Sequence, residues 1–576
     1  MKLIIREYLS SLKERGELDA LLPDLLSQMG LDVFSKPGVG GRQYGIDVAA
    51  VGSIDGAPET VYLFSVKSGN LGRTDWNNTD QALRPSLDEI QDVYIQTHLP
   101  LEHRDKPIEI CLCFGGNIKE TVRLEVSSYI KRHTKDNLRF SEWDGERLAN
   151  LIEKHFLREE LLPENCRKLL RKSLAILDEP EASHGFFKEL VGLVLDVDRC
   201  NPEKVLMASR QLYICLWILY SWCREQGNIE SAYLSSEFAV LQGWDATKAH
   251  TQGTIKISRA VTAIYGAIRS LQLQISIQYI TSVIMPRTSN LHALSAAIRG
   301  SASIDVNLKL FDILGRLAIA GLHLCWLFER YSQEQRETEI GKSTVQQIVT
   351  LQQVMANMIE NNPELNSPVK DDHAIDIVLA FWFMGLDFGV DNNSAEWLQQ
   401  IVTGSMFRLA IKSTYPCNLS EYHELIHHPR ADSGYFEEVT AGSILYPSLA
   451  MLCALTAADE SYNNIRGLKS EVLQHCNFQI WFPDAASEDN FLSGKAAHGA
   501  TLSHVKIPSD KFEYLRAIFD EADLSSSFYR LSAIERSQFP LLLIACRYYR
   551  YPIPVHFFKA SYEMAISSIG GGSSAN

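Results

Sequence analysis

Asp47 and Lys67 are the residues whose types and spacing point to chemistry: one sits in YGIDVAAV (44–51), the other closes TVYLFSVK (60–67). Alternate side chains of a strand share a face, so Ser65 and Lys67 point the same way as Val61 and Leu63. In the other segment Asp47 faces opposite to Ile46 and Val48, away from that strand's larger apolar side chains. The intervening GSIDGAPE has the Gly and Pro of a hairpin loop. Folded about Gly56, the hairpin brings together residues whose numbers sum to about 112, which sets Asp47 beside Ser65 and one diagonal step from Lys67.

Phosphodiester hydrolysis uses such a pair. A carboxylate holds a hard divalent cation, the cation polarises the phosphate and acidifies a water, and a lysine orients that water or helps deprotonate it. Lysine suits the task because its charge is compact and its proton affinity responds to surroundings. Taken alone, an Asp–Lys pair across a hairpin is more often a surface ion pair worth about 0–1 kcal/mol. The elements around it decide between the two.

Residues 7–29 have helical spacing and stop at Gly30, and LDVFSKP (31–37) forms a short strand leading into GVGG (38–41). After the hairpin the pattern predicts a helix over 79–96, a strand at IEICLCF (108–114) and a helix over 117–133. LRFSEWDGERLANLIEKHF then supplies a strand, a turn at Asp144–Gly145 and an amphipathic helix. From about residue 165 strand alternation disappears, and three- and four-residue apolar spacing predicts helices over 203–225, 305–332, 343–361, 373–388 and 441–458.

The order helix, G-I-D-V, hairpin, S-V-K, helix, strand, W-D-G-E-R-L-A-N-L-I resembles the restriction-endonuclease fold, in particular the Mrr-like branch of the PD-(D/E)xK nucleases. The resemblance covers residues 1 to about 160. It implies that Asp47 is the metal-binding aspartate and Lys67 the catalytic lysine, with Asp19 or Glu17 of GELDALLPDLLSQMG as the helical acid. It also implies Mg²⁺ or Mn²⁺ as cofactor and DNA as substrate. Ser65 departs from the pattern, standing where glutamate, aspartate or glutamine is usual. A hydroxyl is a poorer metal ligand, so either a backbone carbonyl, water and Asp19 complete the coordination, or the domain is a catalytically degenerate nucleic-acid binder. Gln81, early in the helix after the lysine strand, is placed to reach the scissile phosphate, and Lys36, Arg42 and Arg73 flank the expected cleft. For Glu17 and Asp19 a solvated helix face is an equal reading.

Two other motifs compete. His423-Glu424-Leu425-Ile426-His427 spells HExxH, which on a helix puts two imidazoles on one face for zinc and makes the glutamate a general base. His428 and Pro429 follow at once and end any helix there, and Glu437 or Glu438 as a third ligand fits no familiar spacing. The glycines of GVGGRQYG match neither GxxxxGK[ST] nor GxGxxG between a strand and a helix.

The expected architecture is an α/β, restriction-endonuclease-like N-terminal domain (1–160), a large all-α region (165–568) that senses, oligomerises or docks a partner, and a disordered Gly/Ser tail (569–576). A chain of 576 residues exceeds one ordinary core, and its 46% hydrophobic and 22% charged content is that of a globular protein. A net charge of −15 argues against coating nucleic acid through bulk electrostatics, so contact with DNA is local, metal-assisted or shared across a homo-oligomer. The N-terminus lacks a secretory apolar run, and Leu212–Trp222, Ile375–Val390 and Ile444–Ala458 are short for a bilayer span of about 20 residues. A cytoplasmic protein with no membrane partner is expected. Eleven cysteines form no CxxC pair, and Cys111 and Cys113 fall in an apolar run as small core side chains. The architecture resembles prokaryotic restriction and anti-phage defence effectors, which implies a partner protein of such a system.

Overall fold

The computed structural model describes all residues except 1–4, 7–8, 11, 36–43, 79–81, 156–163, 252, 254, 299, 301, 391–392, 495–499 and 572–576. Two compact units emerge: Met1–Ser235 with Ala249–Ile268, and Ser236–Lys248 with Arg269–Asn576.

In the first unit the expected long N-terminal helix is broken. Lys13 is extended, a π-helical turn covers Glu14–Leu18, and a regular helix, α1, runs Asp19–Gln28. The break has a local cause: the Glu17 carboxylate turns back to accept the Lys13 N–H at 2.9 Å, capping a new start. Then come β1 (Asp32–Ser35), β2 (Val48–Gly52), β3 (Thr60–Lys67), α2 (Arg73–Asn77) and α3 (Leu83–Glu89), which continues as a π-helix over Ile90–His98. They are followed by β4 (Ile108–Phe114), α4 (Glu120–His133), β5 (Leu138–Trp143) and α5 (Gly145–His155).

The five strands form one mixed sheet in the order β1-β2-β3-β4-β5, antiparallel across the first three and parallel from β3 to β5. Each observed β2–β3 pair, from Val48 opposite Phe64 to Gly52 opposite Thr60, keeps the expected sum of 112. Apolar side chains occupy both faces of the central strands because helices cover both sides. On one face Leu63, Ile110 and Leu112 pack with Trp76, Leu87, Val122 and Tyr129 of α2, α3 and α4. On the other, Phe64 meets Trp143 edge-on at 4.9 Å, and α1 packs against β2 and α5. Cys111 and Cys113 are fully buried in this sheet. The unit continues with α6 (Glu164–Ala175), α7 (Pro180–Val194) and α8 (Pro202–Glu225). Its boundaries fall inside α9 (Glu230–Thr247) and α10 (Lys256–Tyr279).

The second unit is built on α11 (Ser303–Glu329), packed against α12 (Glu339–Glu360), α13 (Ala374–Met384) and, after α14 (Leu445–Leu455), α15 (Phe539–Tyr549). It is helical but not all-α as expected. Gly442–Ser443 (β6) pairs with Asn477–Phe478 (β7), and Ile480–Phe482 (β8) with Ala500–Leu502 (β9). These ladders are two or three residues long, too short to leave an alternating pattern in the sequence. α11 is long and apolar enough to cross a membrane by length and composition, although 89% of its most apolar window is buried within the protein. It also carries Asp312 and Arg316, paired at 2.6 Å, and Arg547 of α15 binds Asp312 at 2.8 Å and also Glu237. Buried charges persist when paired in this way. A final helix, Lys559–Gly571, takes in the first residues of the expected disordered tail, while 572–576 lie outside the described residues.

Candidate active site

Asp47 stands just before β2, after a turn at Gly45 with φ of +81°. A side chain at Gly45 would collide with the Ser86 carbonyl at 2.2 Å, so α3 closes over this turn only because the residue is glycine. The Asp47 N–H donates to the Phe64 carbonyl at 2.9 Å, one residue out of step with the Val48–Phe64 pair, so the β2–β3 register slips at Asp47. Its carboxylate accepts the Val66 N–H at 2.7 Å, capping the end of the hairpin ladder. That bond holds the carboxylate at the backbone of Val66, next to Lys67 in the chain, whose ammonium acts on it.

Burial raises the Asp47 pKa to about 6, and the nearby Glu14 and Asp19 carboxylates push in the same direction. The Val66 N–H and the Lys67 ammonium oppose them. Three carboxylates and one ammonium therefore share a single electrostatic neighbourhood.

Lys67 is mostly buried, and its Nζ lies 3.0 Å from Glu14 Oε1. Ser65 is 1% exposed, and its Oγ has no hydrogen-bond partner among the described residues. A buried hydroxyl without a partner costs about 1–3 kcal/mol, so this oxygen is suited to a ligand or a water.

Of the two helical acids expected from the sequence, Asp19 is buried and lies within the field of Asp47. Glu17 is engaged elsewhere. Besides capping Lys13, it pairs with Arg224 of α8 at 3.2 Å. Glu14 takes the place the sequence had offered to Glu17. The cause is the π turn: the Asp19 N–H bonds to the Glu14 carbonyl five residues back, so Glu14 and Asp19 are one π turn apart. In a regular helix positions three and four apart share a face, so 14 and 19 diverge. Gly16 inside the turn is the one local sign of a helix disposed to change its winding.

Arg73 is largely exposed and meets Glu125 at 3.7 Å. Gln81, Lys36, Arg42 and the GVGG loop at 38–41 lie outside the described residues. Among the described residues no three His, Cys, Asp or Glu side chains are gathered as a ready metal cage. The carboxylates nearest Asp47, those of Glu14 and Asp19, are nonetheless oxygen donors of the kind a hard divalent cation prefers.

The HExxH segment has a different geometry from the one its spelling suggests. Its helix covers only Tyr422–Leu425, ending before His427, so His423 and His427 do not share a helical face. His428 is buried between the Tyr435 hydroxyl and the Tyr415 carbonyl, at 2.9 and 2.8 Å. His423 and His427 are exposed, and His428 fills a small polar core.

No family model, no curated protein and no solved structure matches the chain.

Proposed function

We propose that residues 1 to about 160 form a metal-dependent DNA endonuclease domain of the PD-(D/E)xK type, Mrr-like, and that the helical region from 165 to 568 restrains or directs it. The succession of a helix, an antiparallel three-stranded meander, crossover helices and a parallel fourth strand supports the fold assignment. Fold alone does not carry function, however. The observation that carries the reading is the Asp47 carboxylate bonded to the Val66 N–H, next to Lys67 in the chain, with Glu14 on the lysine.

In this reading Asp47 holds Mg²⁺ or Mn²⁺ with Glu14 and Asp19 as the further carboxylates. Of the two helical acids offered by the sequence, Asp19 stays in this ligand set, and Glu14 stands in it instead of Glu17. When bound, the cation supplies a polarised phosphate and an acidified water. Lys67, paired with Glu14 in this structure, would position the attacking water, and the Ser65 hydroxyl would offer a further hydrogen-bond partner. The burial that raises the Asp47 pKa also strengthens its attraction for a cation, because the local dielectric is low.

The surroundings are proposed on resemblance alone: a prokaryotic restriction or anti-phage defence effector, working as a homo-oligomer or with a partner protein in the cytoplasm. The test is plasmid cleavage by purified protein with Mg²⁺ or Mn²⁺, repeated with Asp47→Ala and Lys67→Ala. Loss of cutting in both variants supports the site, and undiminished cutting by both would falsify it. DNA binding without cleavage under either metal would favour the degenerate, nucleic-acid-binding reading.

A further inference from the structure

The segment 119–139 inverts the charge of the chain around it. It holds six Lys and Arg against three Asp and Glu, where the whole sequence has 55 against 70. Most of it is α4, whose outward face carries Ser128, Lys131 and Arg132. Beside α4 runs a groove of about 420 Å³ whose floor is the buried Trp76 and Tyr129. Arg84 of α3 and Arg132 of α4 stand on its walls.

Neither guanidinium has a carboxylate partner among the described residues. Arg84 leans over the Tyr129 ring at 6.0 Å, and the Arg132 Nε–H donates to the Ser128 carbonyl at 3.2 Å. The groove's own carboxylate, Glu125, meets Arg73 at 3.7 Å. Asp88 is also close by, its carboxylate accepting from the Tyr129 hydroxyl at 2.5 Å, yet neither guanidinium is paired with a carboxylate among the described residues, and beside one groove in a chain of net −15 they call for an anionic occupant.

The groove also lies on a path from the candidate site. Beyond Lys67 the backbone stays bonded to the strand next to it: Gly116 N–H to Gly69 O at 2.8 Å, Leu71 N–H to Asn117 O at 3.0 Å and Lys119 N–H to Leu71 O at 3.0 Å. These rungs lead straight into α2 and α4. Nine residues separate Lys67 from Trp76, a reach of at most about 30 Å. That is under one turn of duplex DNA, about 34–36 Å.

We infer that this groove holds nucleic-acid backbone flanking the cut, with phosphates against Arg84 and Arg132. The inference rests on the proposed nuclease reading for the identity of the polyanion. The lining favours a phosphodiester over a protein partner: guanidinium and hydroxyl donors dominate, and Leu124, 83% exposed, is the lone exposed apolar side chain. A docked peptide normally wants a contiguous apolar patch.

The experiment is fluorescence anisotropy of labelled duplex DNA with the full chain in EDTA, where cleavage plays no part. Arg84→Gln/Arg132→Gln is expected to raise Kd about tenfold and to lower the salt slope by about two, one for each phosphate that is no longer neutralised. The control Lys204→Gln/Lys342→Gln removes the same bulk charge from exposed sites elsewhere and is expected to leave both unchanged. Should the double variant melt early, Arg132→Gln alone, an exposed position, carries the test with a slope change of about one. Unchanged Kd and slope, equal weakening by the control, or no binding by the native chain would overturn the inference. Unchanged Kd would leave the groove to an acidic protein. Because binding is read without metal, the inference can fail while cleavage still depends on Asp47, or hold when no cleavage is found.

Discussion

Lys67 Nζ sits 3.0 Å from Glu14 Oε1, a contact made across 53 positions of sequence at the end of the central strand. The pair neutralises the amine and occupies one of the carboxylates nearest Asp47. Under the proposed function, a cation at Asp47 would compete with Lys67 for Glu14, which would couple metal loading to release of the lysine.

That coupling separates two glutamates only three residues apart. Glu14→Gln is expected to lower metal-dependent cleavage at least about tenfold, as removal of a supporting metal ligand commonly does. Glu17→Gln instead weakens a buried pair with Arg224 and a helix cap, at a cost of about 3 kcal/mol in stability, while the metal dependence of any remaining activity stays native. Mn²⁺ titration of cleavage, together with thermal melting of both variants, reads the difference.

Asp47 gives a pH signature. Its folded pKa, raised to about 6 from 3.8, means the folded protein binds the proton more tightly than the unfolded chain. The resulting stability is fully present below pH 3.8 and is lost as pH rises through about 6. At neutral pH the charged group therefore opposes folding, by about 2 kcal/mol at 1.36 kcal/mol per pKa unit after allowance for its partial exposure. Asp47→Asn, which keeps an acceptor for the Val66 N–H, should melt higher than the native chain at pH 7 and converge with it toward pH 4. Metal affinity of the native chain should fall as pH drops below about 6. A pH-independent difference in melting would contradict the assignment.

Ser65 offers a test of function against packing. Its buried Oγ has no partner among the described residues, so Ser65→Ala should raise stability by about 1 kcal/mol. If the hydroxyl serves the attacking water, the same variant loses cleavage rate while melting higher, a trade-off typical of functional sites. Rate and melting temperature measured on one preparation decide the matter.

In the second unit Arg547 reaches both Glu237 and Asp312 from a position 5% exposed. Arg547→Leu is expected to cost about 3 kcal/mol, because it takes a cation from the fully buried Glu237, while Asp312 keeps Arg316. Denaturant unfolding measures this without reference to any activity.

The hairpin was readable because its physics is local. A loop centred on Gly56 fixes the register, and every pair from Val48–Phe64 to Gly52–Thr60 keeps it, although the ladder slips at Asp47 itself. The bounds Thr60–Lys67 and Ile108–Phe114 also match, since central strands covered on both faces read as sharp apolar runs. Glu14 was not legible, because a π turn has no periodicity that separates it from an α-helix over five residues. The small β6–β7 and β8–β9 ladders were hidden by their brevity, and the HExxH spelling hid a helix of four residues.

The central claim is a divalent cation bound by the Asp47 carboxylate beside Lys67. An anomalous difference map from crystals soaked in Mn²⁺ tests it most directly. The account predicts a peak about 2.1 Å from an Asp47 carboxylate oxygen, with Glu14 swung away from Lys67 to join it. A map with Mn²⁺ bound elsewhere, and the Glu14–Lys67 pair intact over an empty Asp47, would contradict it.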